Sequence, residues 1–367
     1  MPDIPLKNQP FDLTFHPSQP IVYVGLLTGE VKAYSYSADL PETDFTHSEL
    51  FSTRPTKRSC RGLATSVSGD RLYTVTKDKT MHTIDTASGT VVETTEGAHE
   101  EAINRILLAM PNMLATGDDD GVIKLWDPRK KGEIRKYTQH FDFISDFLWL
   151  EDKKHLVATS GDGTLSVMDV RTNKTEPFAH SEDQEDELLS ITSIKGQKHE
   201  NVVGTQRGIL SIFNRSAGWG DCVDRVPGHP HSVDALYTLP ASLAPGTDII
   251  ATGSSDGLVR LVQLFPTKVL GVVADHGAFP VERLKMDMPS SSPSRWLGSV
   301  SHENALKMTD LGDALEESDE EDDARDSDGR APDRDDGAGG DGDNGDDDDD
   351  NDRDGERHEE GIVAEPS

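Results

Sequence analysis

The residue types most suggestive of chemistry are a histidine, a hydroxyl and a carboxylate that follow one another at similar spacing. Imidazole, hydroxyl and carboxylate together are the groups of a hydrolytic triad, so acyl transfer is one hypothesis for them. The chain contains two such sets: His99, Thr116 and Asp120 with Trp126, and later His229, Thr252 and Asp256.

Other patterns that would support catalysis or metal binding are missing from the sequence. Asp118, Asp119 and Asp120 could ligate calcium, but the spread of oxygen donors with a closing glutamate that such a loop needs is not there. No phosphate-binding glycine motif or HExxH pattern occurs. Cys60 and Cys222 are too few for a disulfide framework or a zinc cluster. The sequence therefore predicts no enzyme, no cofactor and no metal site.

The elements that must position these residues form a repeat. Seven segments share apolar alternation, a tight polar turn and renewed alternation, as in TGDDDGVIKLWD at 116–127. Their turn positions are spaced by 50, 42, 42, 45, 49 and 47 residues, and they are Gly29, Lys79, Gly121, Gly163, Gly208, Gly257 and Asn304. This period matches a four-stranded propeller blade with loop insertions.

The repeat predicts an all-β, seven-bladed propeller over residues 1–312. A β-sandwich would not repeat one unit seven times, whereas a closed ring removes exposed sheet edges. Closure of the ring stays open at this point, with the segment Ile4–Asn8 as a weak source of the last outer strand. The predicted blades lie near 11–45, 46–97, 98–139, 140–182, 183–228, 229–277 and 278–312.

The repeat resembles the WD-repeat family, most clearly in TGDDDGVIKLWD. Further strings resemble the branch typified by WD repeat-containing protein 55 and its fungal relatives: FDLTFHP at 11–17, KDKTMHTID at 77–85, TSGDGTL at 159–165 and GSSDGLVRLVQLFPTKVLG at 253–271. The resemblance covers about residues 11–311. It implies a non-enzymatic scaffold of the nucleus and nucleolus that supports ribosomal RNA production and processing and assembly of the large ribosomal subunit.

The family resemblance also gives the two histidine sets a structural role. In WD repeats a histidine, a Ser/Thr, a turn aspartate and a tryptophan form a hydrogen-bond network within one blade. This favours a structural network for His99, Thr116, Asp120 and Trp126, because a buried imidazole needs partners for both nitrogens. His229, Thr252 and Asp256 would repeat it, with Val262 in place of the tryptophan.

Two basic stretches are the candidate partner-binding residues. Arg54, Lys57, Arg58 and Arg61 precede an inner strand, and a second stretch of Lys and Arg follows Asp127. They are either ordinary charged loops or contacts to RNA phosphates or acidic peptides. A third hypothesis pairs Arg129 in WDPR with Arg171 in MDVR. Such boxes resemble the docking element of substrate receptors of cullin-based ubiquitin ligases, which would make a ligase adaptor the partner.

The charge of the chain is concentrated at its end. The net charge is −32 over 367 residues, and residues 313–367 hold 26 acidic residues against five arginines. The composition predicts a disordered tail, with Ser318 as a candidate phosphosite. The tail either provides solubility and spacing or binds basic proteins of pre-ribosomal particles, and both roles stay open at this point. No run of apolar residues suggests a membrane span or a secretory signal. We expect a monomeric ring without membrane contact.

Overall fold

The structure, a computed structural model, describes residues 2–194, 200–287, 295–312 and 315. It contains seven antiparallel sheets of four strands each. Two short 3-10 helices, Glu42–Asp44 and Arg215–Ala217, lie in connections between strands. Within this described part of the chain, no helix has the length and apolar character of a membrane span. The predicted tail at 313–367, apart from Leu315, lies outside the described residues.

Each of the first six sheets is built from four consecutive strands. The first three sheets are β2 (Pro10–Phe15), β3 (Ile21–Leu26), β4 (Val31–Tyr36) and β5 (His47–Thr53); β6 (Cys60–Thr65), β7 (Arg71–Thr76), β8 (Met81–Asp85) and β9 (Thr90–Thr95); and β10 (Ile103–Met110), β11 (Met113–Asp118), β12 (Ile123–Trp126) and β13 (Glu133–Tyr137). The next three are β14 (Ile144–Leu150), β15 (His155–Ser160), β16 (Leu165–Asp169) and β17 (Ala179–His180); β18 (Leu188–Ser193), β19 (Glu200–Thr205), β20 (Ile209–Asn214) and β21 (Asp224–Pro227); and β22 (Val233–Thr238), β23 (Asp248–Ser254), β24 (Leu258–Leu264) and β25 (Lys268–Asp275).

The seventh sheet closes the ring with a strand from the other end of the chain. It contains β26 (Val281–Met286), β27 (Trp296–Ser301) and β28 (Ala305–Asp310), and β1 (Asp3–Pro5) pairs with β28 as its outer strand. Ile4 lies opposite Leu306 in this pairing and is fully buried. The N-terminal segment therefore supplies the missing strand, because a blade without it would leave the edge of β28 unpaired.

The first strands of neighbouring sheets contact one another around the whole circle, and β26 contacts β2. The fold is thus a seven-bladed β-propeller. Its core is divided among the spaces between adjacent sheets, as where Leu125 and Tyr137 of the third sheet pack with Phe147 and Met168 of the fourth. Middle strands are buried because both faces of each sheet are covered, whereas outer strands such as β9 are mostly exposed.

The structure corrects two of the predicted boundaries. The prediction of a first blade ending at residue 45 is wrong, since β5 pairs with β4 and extends the first sheet to Thr53. The outer strand HSELFST is mostly polar and exposed, so it has no apolar pattern from which this pairing could be predicted. The propeller also does not end at residue 312, because Leu315 packs against the apolar cluster that contains Leu297 and Leu311.

The antiparallel order gives the ring two distinct faces. The turns between second and third strands and the connections into each first strand lie on one face, which we call the upper face. The other connections lie on the lower face. The upper-face loops pack tightly: Gly29 has φ +81°, and a Cβ on it would lie 2.4 Å from the carbonyl oxygens of Thr56 and Arg58.

Candidate functional site

The third sheet contains a buried hydrogen-bond network around His99. His99 Nε2 lies 2.6 Å from Thr116 Oγ1, and the indole N–H of Trp126 donates to the same hydroxyl at 2.8 Å. His99 Nδ1 lies 2.7 Å from Asp118 Oδ2. All four side chains are buried. The Thr116 hydroxyl is enclosed and engaged by two neighbours, so this group has no access to a substrate and the triad hypothesis fails here.

The carboxylate of this network is Asp118, and the prediction of Asp120 was wrong. Asp120 is exposed, and its backbone N–H donates to Asp118 Oδ1 at 3.1 Å. The same oxygen accepts from the N–H of Val122 at 2.8 Å. Asp118 thus holds both the histidine and the turn. The three aspartates at 118–120 are consecutive, so the sequence pattern did not indicate which of them contacts His99.

The second predicted set is only partly brought together. His229 Nε2 lies 2.8 Å from Thr252 Oγ1, as the network pattern requires. Asp256, however, accepts from Arg260 at 2.6 and 3.2 Å. The Arg260 guanidinium is a charged donor four residues later in the same hairpin. Asp256 therefore pairs with Arg260, although the prediction assigned this carboxylate to His229.

Sequence reasoning missed two further networks of this kind. His140 lies 3.0 Å from Asp162 Oδ2 and 2.8 Å from Ser166 Oγ. His276 contacts Glu303 and lies 2.9 Å from Ser299 Oγ. The position of these histidines, four or five residues before the first strand of a sheet, was a usable signal. His276 was overlooked because its acid is a glutamate.

The basic connection at 54–58 lies on the upper face between the first and second sheets. Arg54, Lys57 and Arg58 are exposed there. Arg54 Nε donates to the carbonyl of Thr28 at 2.9 Å, and Thr56 hydrogen-bonds to Asp78 of the second sheet. These hydrogen bonds hold the segment against the first and second sheets, while the charged side chains of Arg54, Lys57 and Arg58 face solvent.

Arg61 differs from the rest of its stretch. Its Nη1 lies 3.0 Å from Asp119 Oδ1 and also contacts Asn104, and its side chain is only 22% exposed. This arginine joins the second sheet to the third. It does not offer a free charge to a partner.

Arg129 and Arg171 occupy equivalent places on the lower face. Each guanidinium forms a two-pronged pair with the carboxylate two residues earlier, Asp127 or Asp169, at 2.8 and 2.7 Å. These hydrogen bonds lower the pKa of Asp127 and that of Asp169, the latter to about 2. The two arginine side chains remain 64% and 61% exposed.

Basic residues exceed acidic ones on the lower-face loops of the third to fifth sheets. Several carboxylates there form ion pairs, as in Glu151 with Lys154 and Asp152 with Arg215 at 2.9 Å. Lys131, Lys153 and Lys174 are exposed and form no ion pair with any described residue. This surface, which we call the basic lower patch, consists of Arg129, Lys130, Lys131, Lys153, Lys154, Arg171, Lys174 and Arg215.

The axis of the ring is lined by charged side chains that sequence analysis did not single out. Arg283 lies 3.5 Å from Asp12 and 3.3 Å from Asp146, and all three project from first strands. Arg105 joins them, and burial lowers its pKa to about 10. The sequence gave no signal for this cluster, because its residues come from separate sheets and only closure of the ring brings them together.

The candidate phosphosite Ser318 lies outside the described residues. Cys60 is buried and Cys222 partly buried, and neither is in a disulfide. Among the described residues, no cluster of His, Cys, Asp and Glu is suited to a metal ion.

Comparison with known proteins agrees with this architecture. The model of the WDR55 family matches residues 1–313. WD repeat-containing protein JIP5 of Coprinopsis cinerea is 56% identical over 315 residues, which cover 85% of this chain and 74% of that protein. Its counterpart in Laccaria bicolor is 57% identical over 325 residues, covering 85% and 75%. Human WD repeat-containing protein 55 is 36% identical over 309 residues, covering 84% and 76%. This chain belongs to the WDR55 family of WD-repeat proteins.

Proposed function

We propose that the protein is a non-enzymatic scaffold in nucleolar ribosome biogenesis, active in ribosomal RNA processing and in assembly of the large subunit. The basic lower patch is the observation that supports this most directly. Lys131, Lys153 and Lys174 form no ion pair there within the described ranges, in a chain whose net charge is −32. Local positive charge on an acidic protein is the arrangement that phosphate contact requires, because the overall field repels RNA.

The upper face supports a second contact of the same scaffold. Arg54, Lys57 and Arg58 present exposed charges from a connection that is fixed at its base. A rigid ring with separate basic surfaces on its two faces can hold two segments of a particle at a defined distance. Binding of this kind needs no reaction centre.

The experiment compares two charge reversals in cells. One variant carries Lys131→Glu, Lys153→Glu and Lys174→Glu, and the other carries Arg54→Glu, Lys57→Glu and Arg58→Glu. We expect each tagged variant to be folded, to remain nuclear and to sediment less with large-subunit precursors than the wild type. As a control, Lys7→Glu reverses an exposed charge outside both surfaces. Unchanged sedimentation of both triple variants, or absence of the wild type from the nucleolus, would contradict the proposal.

A substrate receptor of a cullin-based ubiquitin ligase is the alternative function. One observation favours it: Arg129 and Arg171 have the same pairing and the same exposure on adjacent sheets. Recovery of a cullin adaptor with the wild type, and its loss with Arg129→Ala plus Arg171→Ala, would support this alternative. Recovery of large-subunit precursors without an adaptor would argue against it.

A further inference from the structure

A cavity of about 320 Å³ lies at the upper end of the ring axis. Five different sheets line it, through Arg105, Ser145, Leu189, Asp234 and Glu282. Each of these residues is the second or third of its first strand, and first strands begin at the upper face. Only a position on the axis can contact so many sheets at once. The volume falls at the low end of the roughly 300–1,000 Å³ typical of ligand pockets.

The cavity contains two carboxylates, Asp234 and Glu282, and one guanidinium, Arg105. Asp234 accepts a hydrogen bond from the Ser232 hydroxyl at 3.1 Å, which is its one side-chain hydrogen bond within the described residues. Glu282 contacts His302, and Arg105 donates to the backbone carbonyls of Ser145 and Asn104. Because the carboxylates outnumber the guanidinium and Asp234 retains free acceptor positions, the cavity favours a cation over an anion.

The remaining wall of the cavity is partly apolar and partly formed by Ser145, Ser232 and Ser255. Phe143, Leu189, Pro280 and Val281 line it beside the charged groups. A ligand that fits this wall has an aliphatic or flat stem with a positive end. Lysine and arginine side chains have this form, since their methylene groups pack on apolar surface while the charged end seeks a carboxylate.

The surrounding loops favour the approach of such a ligand. The connection at 181–187, next to the cavity wall formed by Leu189, contains five acidic residues. Burial and the neighbouring carboxylates of Asp142 and Asp186 raise the pKa of Glu187, which shows that negative charge is concentrated at this part of the upper face. A field of this sign steers basic segments toward the axis.

We propose that the axial cavity binds one lysine or arginine side chain of a basic partner segment, with Asp234 as its direct counter-ion and Glu282 as a second acceptor. This deepens the proposed function and rests on it for the biological source of the segment, a basic protein of pre-ribosomal particles. The chemistry of the cavity itself does not depend on that source.

The test measures binding of a defined peptide to the full-length protein by fluorescence anisotropy at physiological ionic strength. The probe is fluorescein-labelled Ser-Gly-Arg-Lys-Arg-Gly-Ser, and the matched neutral probe has citrulline for each arginine and acetyl-lysine for the lysine. We expect Asp234→Asn to weaken binding of the charged probe roughly tenfold or more, because one member of a desolvated charge pair is lost. Asp120→Asn makes the same charge change on the same face outside the cavity, and should leave binding within about twofold.

A steric variant gives a second measurement. Ser255 lines the cavity from the upper-face turn of the sixth sheet and is only partly buried, so Ser255→Trp should fill the mouth without unfolding the sheet. We expect it to reduce binding of the charged probe as strongly as Asp234→Asn does. The acidic C-terminal segment can bind the probe in every variant, so the difference between variants is the quantity that tests the cavity.

The pH dependence of binding provides a further check. Burial raises the pKa of Asp234 to about 6, and the groups that face it are Glu282, Arg105 and His302. The hydrogen bond to Glu282 raises the pKa of His302. On acidification from pH 7.5 to 5.5, Asp234 loses its charge, so wild-type binding weakens. In Asp234→Asn the remaining dependence should be smaller.

Three results would overturn the proposal. They are equal binding of the charged and neutral probes, equal affinity of wild type and Asp234→Asn, and binding of a short oligouridylate that is lost with Arg105→Gln, which would assign the cavity to an anion. None of these results bears on co-sedimentation with ribosomal precursors, so the cavity and the proposed function can fail separately.

Discussion

His99, His140 and His276 show how one hydrogen-bond arrangement is built from different side chains. In each case one imidazole nitrogen faces a carboxylate of an upper-face turn and the other faces a hydroxyl on a neighbouring strand. The requirement is physical, because both ring nitrogens of a buried histidine need partners. Which residue supplies the carboxylate is decided by the shape of the turn, as Asp118 in place of Asp120 demonstrates.

Substitution of Asp118 and of Asp120 tests which of these two aspartates stabilises the fold. Asp118→Ala leaves the buried His99 Nδ1 and two backbone N–H groups without their acceptor, so we expect the free energy of unfolding to fall by about 1–3 kcal/mol. Asp120→Ala removes an exposed side chain and should change it by less than about 0.5 kcal/mol. Urea denaturation of both variants measures the difference. Similar values for the two would contradict the assignment.

The buried histidines also predict a loss of stability in acid. Burial lowers the pKa of His99 below the value of 6.5 in the unfolded chain, although Asp118 acts in the opposite direction. Below pH 6.5 the unfolded state takes up a proton that the folded state resists, so the free energy of unfolding decreases as the pH falls. We expect a drop between pH 7.5 and 5.5 in denaturant titrations, and a shallower one in His99→Gln. Parallel pH curves would show that His99 does not contribute.

At the scale of elements, the strand β1 decides whether the propeller is a closed ring. It contributes only three residues, yet Ile4 is fully buried in the cluster that joins the seventh and first sheets, together with Leu13 and Trp296. Since the first and last parts of the chain pair here, closure depends on a contact between residues about 300 positions apart. Such a contact forms only when the intervening sheets are in place.

Substitution of Ile4 tests this closure. Ile4→Ala creates a cavity at the seam, and we expect a loss of about 2–5 kcal/mol in the free energy of unfolding. Lys7→Ala, in the exposed part of the same segment, should have almost no effect. Chemical denaturation measures both, and limited proteolysis near the N-terminus should accelerate only in Ile4→Ala. A loss below about 1 kcal/mol would mean that the ring is held closed by other contacts.

At the scale of the whole molecule, the antiparallel order of the strands separates the charges of the ring. Because the loops of one face come from alternate strand connections, residues distant in sequence form one surface, as Lys131, Lys153 and Lys174 do on the lower face. The acidic connection at 181–187 belongs to the opposite face. The acidic excess of the chain is therefore unevenly distributed, and the upper face carries this acidic connection between the fourth and fifth sheets and the basic residues Arg54, Lys57 and Arg58 between the first and second.

Two truncations test where the stable ring ends. A chain that ends at Glu316 retains Leu315 and should have the thermal stability of the full-length protein. A chain that ends at Gly312 loses the contact of Leu315 with the cluster around Leu297 and Leu311, and we expect it to be less stable by about 1 kcal/mol. Thermal denaturation followed by circular dichroism compares the two. Equal midpoints would restore the boundary predicted at residue 312.

The resemblance to WD repeats implied the residues of the third-sheet histidine network other than its acid, whereas the repeat pattern was sufficient to predict the fold class and the number of blades. These features are encoded locally, because strand alternation and turn residues repeat within each unit and are read without knowledge of the partner sheets. Polar outer strands such as β5 were assigned to the wrong blade, since a strand that buries little has no apolar pattern to identify it.

The tertiary structure decided everything that depends on bringing separate blades together. Pairing of β1 with β28 is of this kind. The choice of Asp118 and the pairing of Asp256 with Arg260 lie within single blades, where the shape of the turn decides which carboxylate reaches which donor. The axial cavity is the strongest case, because Asp234 and Glu282 come from different sheets and lie 48 positions apart in the sequence. Local periodicity specifies each unit, whereas a shared site exists only after the ring has closed.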